Sequence, residues 1–217
     1  MDWSPLVVSL KISGTATAFV FVLGIVAARA VSRSRGIVRV IADGFFSFSV
    51  VLPPTVVGFA LLAAFGRRSP AGKLLALFGI RLVFSWWGAV LAAFVVAFPL
   101  MYRTARSAFD HIDPSLSAAA RTLGMSEWRI FRLITLPLAW PGIAAGVALS
   151  FARALGEFGA TLMIAGNIPG KTQTIPVAIY FLSEGGFTGR ALVWVAVILA
   201  VSLVSMTVVN ATERRRH

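Results

Sequence analysis

Long apolar runs alternate along the chain with short polar segments, and the runs set its organisation. The first, about Ile12 to Ala28, is long enough to cross a roughly 30 Å hydrocarbon core as a helix. Comparable runs cover about Phe45 to Phe65, Phe84 to Tyr102, Leu136 to Leu155 and Ala191 to Val209. A further piece, Val177 to Leu182, is too brief to span by itself. The pattern predicts an all-α, polytopic helical membrane protein. It has five transmembrane helices, or six if Val177–Leu182 joins its neighbours, in a single domain over residues 1–217.

The interruptions inside the runs carry the candidate chemistry. Pro53 and Pro54 remove two backbone donors from the second run and force a kink there. In hydrocarbon, freed carbonyls are tolerated only where protein or water satisfies them. The kink is therefore either a packing device or a broken helix lining a pathway, and Pro53, Pro54 and Thr55 become pathway candidates. In the fourth run Gly142, Gly146, Ser150 and Ala154 recur every four residues. Such a small-residue ridge lets helices approach closely, within the bundle or across a dimer. Arg153 and Glu157 follow one turn apart, roughly 25–30 Å along this helix, where charges need a partner or water. They are a structural pair or part of a gate.

Between the third and fourth runs lies a polar connector, about residues 110–135. Asp113 followed by Pro114 is a helix start, with an acceptor at the cap and proline in the first turn. Leu116, Ala119, Ala120 and Leu123 then share one helical face, and Gly124 supplies a left-handed stop. Ser126 caps a second helix with Glu127 in its first turn, leading into Pro137. A short helix with an alanine-rich face suits a knob seated in a partner's groove; an ordinary interfacial helix is the plainer reading.

Composition excludes several function classes. Hydrophobic residues make up 58% of the chain and charged residues 13%, with a mean hydropathy of +0.87. Soluble globular proteins carry about 45–50% apolar and about 25% charged residues. The net charge of +12 comes from basic residues between the runs, without a continuous stripe, so nucleic acid is not an expected partner. Twelve Lys/Arg fall on the segments that are cytoplasmic if the N-terminus is outside, against six on the outer ones. That bias orients the chain N-terminus outside and C-terminus in the cytoplasm. Arg29, Arg33, Arg35 and Arg39 follow the first run rather than precede it, which argues against a cleaved signal peptide. The outer loop carrying Arg67, Arg68, Lys73 and Arg81 is a solvated loop, a dock for an acidic protein, or an attractor of anions.

There is no cysteine and there are two histidines, so neither disulfides nor a metal site is expected. The eight acidic residues are scattered and His111 has no evident partner, which speaks against a membrane enzyme. The chain has no internal repeat of the kind frequent in ion-driven carriers. The stretch Ala165 to Thr172 nearly spells a phosphate-binding loop. However, its first glycine is missing and Pro169 stands among the amides that would cradle phosphate. ATP, if used, is expected on another chain.

The connector resembles the signature loop of ABC importer permeases. Ala119, Ala120, Gly124, Ile134, Leu136 and Pro137 stand at the family's spacing, with Ala118 where the family often has Glu. The resemblance implies that Ala118, Ala119, Ala120, Arg121, Gly124, Ile134, Leu136 and Pro137 form the coupling surface for an ATPase. Departure at Ala118 weakens any salt bridge from that position. The run Gly156-Glu157-Phe158-Gly159-Ala160, with Asn167-Ile168-Pro169-Gly170 and Thr174-Ile175-Pro176 after it, resembles the molybdate (tungstate) branch and, more loosely, the sulfate/thiosulfate branch. This implies an inner-membrane homodimer that binds no cofactor itself, with ATP and Mg on partner ATPase subunits. It also implies a periplasmic or lipoprotein substrate-binding protein that delivers a tetrahedral oxyanion. Thr55, Ser150, Thr161 and Asn167 are candidate anion contacts, and Arg153 and Glu157 gate candidates.

Overall fold

The computed structural model describes residues 2–214, all of whose regular elements are helical. Arg215 and Arg216, part of the basic C-terminal stop, lie outside the described residues. Helix α1 (Ser4–Ser32) is longer than its apolar run. Helices α2 (Gly36–Val51) and α3 (Pro54–Phe65) share the second run. A short α4 (Pro70–Leu77) leads to α5 (Trp86–Asp110), and α6 (Pro114–Thr122) to α7 (Glu127–Ile130). A π-helical turn at Phe131–Thr135 then joins α7 to α8 (Leu136–Leu155). Helices α9 (Gly159–Ala165), α10 (Ile175–Glu184) and α11 (Thr188–Arg214) complete the chain.

Among the described residues, four helices are long and apolar enough to cross a membrane, and the bent pair α2–α3 makes a fifth crossing if counted as one. Val177–Leu182 sits inside α10, whose ten residues extend only about 15 Å, so a sixth span is not formed. The second run is far more than kinked: α2 and α3 meet at 110°. A residue before proline is pushed to extended backbone. Leu52 precedes Pro53, and Pro53 precedes Pro54, so both take ψ of 138° and the helix breaks completely.

Helix α5 is the centre of the bundle. Ala89, Ala92, Ala93, Ala97 and Ala105 are fully buried along it. Their small side chains let α1 and α8 close in on α5 and on each other. On α1, a Cβ at Gly24 would lie 2.7 Å from Met101 Cγ. On α8, a Cβ at Gly142 would lie 2.7 Å from Ala108 Cβ, and one at Gly146 only 2.3 Å from Thr104 Oγ1. The small-residue ridge therefore packs within this chain. Serine 49 adds a tie from α2 to α5, its hydroxyl donating to the Val95 carbonyl at 2.8 Å.

The 29-residue helix Glu127–Leu155 is continuous through the π-helical turn. Pro137 brings no N–H to the ladder, and the Leu136 N–H reaches back five residues to Phe131 O instead of four. The wider turn absorbs the missing donor, so α7 and α8 behave as one rod.

Candidate functional site

The connector folds as its residues predict. Asp113 caps α6, its Oδ1 accepting from the Ser115 N–H at 2.8 Å, and Pro114 occupies the first turn. That hydrogen bond from the Ser115 backbone, followed by one from its side chain, holds the Asp113 carboxyl below the ordinary carboxylate range. Gly124 takes φ +75°, and the N–H groups of Gly124 and Met125 return to Arg121 O and Ala120 O. A Cβ at Gly124 would meet nothing, so backbone conformation, not space, requires glycine here. Ser126 Oγ then accepts from the Arg129 N–H at 3.4 Å and starts α7.

Of the predicted face on α6, only Ala120 turns inward; Leu116, Ala119 and Leu123 are exposed, as is Ala118. Leu123 is 82% exposed, an unusual position for a leucine on a polar loop. Ile134 and Leu136 are half-buried at the root of the rod and Pro137 is exposed.

Sequence reasoning missed what holds this loop in place. Glu127 is a hub. Its Oε1 accepts from Arg121 Nε at 2.6 Å, tying α7 to α6, and its Oε2 pairs with Arg33 at the end of α1. Arg29 Nη2 donates to the Glu127 carbonyl at 3.3 Å. The Arg29 guanidinium carbon also sits 3.5 Å from the Phe131 ring centroid and 5.7 Å from that of Trp128. The hydrogen bond to Glu127 raises the Arg121 pKa above its ordinary value. A second cluster fastens α2 to α5: Asp43 accepts from Tyr102 and Arg106, while Asp110 meets Arg39 and, at 3.5 Å, Arg106 Nε. Arg39/Asp43 and Arg106/Asp110 both stand at i, i+4, a spacing visible in sequence.

At the far end of the rod the candidates separate. Glu157 is 1% exposed, with Oε1 accepting from the Ala160 N–H at 2.9 Å at the start of α9. Arg153 Nη1 lies 2.8 Å from its Oε2, close enough for an ion pair but out of line with the N–H bonds. Pro54 and Thr55, at the start of α3, lie against Gly159: a Cβ there would be 3.1 Å from Thr55 Cγ2 and 3.3 Å from Pro54 Cβ. One turn on, a Cβ at Gly58 would fall 2.7 Å from Ala160 Cα. Thus Pro54, Thr55, Glu157 and Thr161 gather where α3 crosses α9, and Thr161 is buried beside them on α9. Pro53 is exposed at the break. Ser150 stands apart. It is fully buried and its hydroxyl donates to Ala97 O at 3.4 Å inside the α5–α8 interface, which is a packing role.

Asn167 belongs to a separate loop, where its Oδ1 accepts from Gln173 Nε2 at 2.9 Å. That loop is closed on itself. The amides of Lys171, Thr172 and Gln173 all return to Ile168 O, and Thr172 Oγ1 both accepts from the Ile168 N–H and donates to Gly166 O. These amides are therefore engaged within the loop.

Residues 20–217 match the family described as binding-protein-dependent transport system inner membrane component. The chain belongs to that family. It is thus a multi-pass inner-membrane component of a transport system and not an enzyme. Among its relatives, the molybdenum transport system permease protein ModB of Escherichia coli (strain K12) is 45% identical over 95% of this chain and 91% of that protein. A putative molybdenum transport system permease protein, YvgM of Bacillus subtilis (strain 168), is 44% identical over 99% and 94%. The sulfate transport system permease protein CysT of Escherichia coli (strain K12) is 34% identical over 96% and 75%. A crystal structure of a bacterial ABC transporter importing alginate shares the fold, with a TM-score of 0.80, 18% identity, and coverage of 98% of this chain and 78% of that one.

Proposed function

We propose that this chain is the permease subunit of an ATP-driven importer for a tetrahedral oxyanion, molybdate ahead of tungstate or sulfate, and that it works as a homodimer. Molybdate is favoured because relatives named for molybdenum transport are 44% and 45% identical, whereas the sulfate relative stands at 34%. Sulfate remains the second reading on that same relative.

The observation that carries the mechanism is a nine-residue helix with an exposed apolar face, stopped at Gly124 and joined to a 29-residue rod. Separate ATPase subunits, carrying ATP and Mg, grip Ala118, Ala119, Ala120, Arg121 and the rest of that loop. When they close on nucleotide, the push travels along α7 and α8 to the α3–α9 crossing and shifts it from the packing seen here to a second one. A binding protein presents the anion at the far side. The N-terminus is outside and the C-terminus cytoplasmic, on the basic-residue bias. A dianion passes between the copies on hydroxyls, amides and water, with Thr55 and Thr161 the candidates nearest the crossing.

The test is ATP-dependent uptake into vesicles holding this chain, its ATPase and its binding protein, with the three anions in competition. Molybdate uptake displaced by tungstate is expected. Sulfate uptake that excess molybdate leaves untouched would overturn the choice. Because the chain has no cysteine, Ala118→Cys and Ala71→Cys report sidedness cleanly with a membrane-impermeant thiol reagent.

A further inference from the structure

A large cavity at the end of the bundle opposite the coupling loop is lined by Arg67, Arg81 and Lys171 together with Leu75, Ile80 and Trp87. Its volume is about 1390 Å³, far more than a small oxyanion fills. The ion pairs among the described residues include none of the three cations. Three unneutralised cations facing one space repel one another unless an anion joins them.

The cavity's walls are built rather than loose. Ser69 Oγ accepts from the Gly72 N–H at 2.9 Å and donates to Gly66 O at 2.8 Å, fixing the turn that carries Arg67. A Cβ at Gly72 would lie 2.1 Å from Gly66 O, so this turn admits no other residue there. The Phe84 N–H donates to Ile164 O at 2.9 Å and holds the Arg81 segment to α9. Phe84 does so at φ +54°, a conformation that side chains with a Cβ rarely adopt. Lys171 rides on the self-closed loop whose amides return to Ile168 O.

The surroundings point to lipid. Leu74, Leu77 and Phe78 beside the cavity are 58%, 82% and 74% exposed. Side chains of this kind stand in acyl chains, not water, while Trp87 is a residue type favoured at the headgroup level. A site lined by both cations and apolar side chains, with exposed apolar residues beside it, matches an amphiphile with a phosphate head.

We propose that Arg67, Arg81 and Lys171 bind the phosphate group of an anionic phospholipid whose acyl chains lie over α4. The ligand chemistry is a phosphate-type oxyanion; lipid is preferred over free phosphate because of the apolar lining and the exposed Leu74, Leu77 and Phe78 beside it. It also accounts for basic residues on a loop where the charge bias along the chain disfavours them.

The experiment uses the purified transporter with its ATPase, in detergent, titrated with phosphatidylglycerol and read by native mass spectrometry. Each juxtaposed cation contributes about a fivefold factor in affinity for an anionic headgroup. Lys171→Gln should therefore weaken retention about fivefold, and the triple variant Arg67→Gln, Arg81→Gln, Lys171→Gln by more than tenfold. Phosphatidylcholine should bind weakly to both. All three side chains are exposed, so folding is expected to survive, and the single variants Arg67→Gln and Arg81→Gln supply independent readings. Equal retention of phosphatidylglycerol by the wild type and triple variant overturns the proposal. So does displacement of the lipid by millimolar inorganic phosphate, which would mark a site for the free ion, or by the purified binding protein, which would mark a protein dock.

Discussion

At the end that carries the connector, helices are tied by charged side chains standing in water. At the far end they meet at glycines, which let one helix lie directly against the other. Glu127, Arg33 and Arg121 are about half exposed, and ion pairs of that kind are individually weak because water screens them. Gly58 and Gly159, by contrast, let α3 and α9 meet with almost nothing between them, beside a carboxylate that is 1% exposed. The difference suits their tasks. A loop proposed to follow a partner's movement is held by bonds that can be exchanged, whereas the crossing proposed as a gate is held by close-packed contacts that shift only as a unit.

The severest way to break this comparison is to remove the buried carboxylate. Glu157→Ala strands the Ala160 N–H and leaves the Arg153 guanidinium without its partner. Loss of one member of a buried pair costs about 3–5 kcal/mol, and Arg153 is one-third exposed, so the lower figure is expected. Thermal unfolding of the solubilised protein measures it. The double variant Arg153→Ala/Glu157→Ala should recover part of the loss, and an unaltered midpoint in the single variant would remove Glu157 from the crossing's support.

Gly58→Val tests the crossing itself. The nearest atoms are Ala160 Cα at 2.7 Å, Met163 Cβ at 2.8 Å and Ala160 O at 3.0 Å, all fixed to the α9 backbone and unable to swing aside. Overpacking of about 1–3 kcal/mol is expected, with uptake falling more than stability because α3 and α9 are pushed apart. A matching change on the coupling side, Gly124→Val, meets no atoms at all. It instead forces a β-branched residue to φ +75°, at about 1–2 kcal/mol, and should leave ATP hydrolysis running while anion uptake drops. Tightly coupled transport in that variant would show that the turn is not what conveys the push.

Much of this was legible in the chain, and what was not has a common cause. Asp113, Gly124 and Ser126 are local devices, each satisfied within a few residues, and they fold as their types dictate. Pro53-Pro54 announced an interruption, but two successive pre-proline residues forced to extended backbone turn a kink into 110°. The ridge Gly142–Ala154 was visible, yet its partner was not, since Ala108, Thr104 and Met101 lie on a helix far away in sequence. Glu127's bond to Arg33 spans 94 residues and no periodicity points to it. Ser150 looked like a pathway hydroxyl, although a carbonyl 53 residues away had already claimed it.

Weaker effects sharpen the comparison from the coupling side. Glu127→Gln removes charge from the hub while keeping its shape. It should shift the unfolding midpoint only slightly, and raising salt to 1 M, where the Debye length is about 3 Å, should mimic it in the wild type. Neither treatment should disturb the α3–α9 crossing, so a probe placed there reports no change while anions moved per ATP decline.

The smallest effect concerns Asp113. Its carboxyl titrates below the ordinary value because the ionised form accepts the Ser115 N–H. A depressed folded-state pKa contributes stability that is present above the unfolded value of about 3.9 and is lost as pH falls through the folded value. Helix α6 should therefore loosen only below about pH 4, and activity near neutrality should not respond to this group. Asp113→Asn keeps an acceptor at the cap without the titration. Hydrogen exchange of the α6 amides should rise below pH 4 in the wild type and stay flatter in Asp113→Asn. Equal slopes in the two proteins would mean that the cap's charge plays no part in holding the helix that the ATPase is proposed to grip.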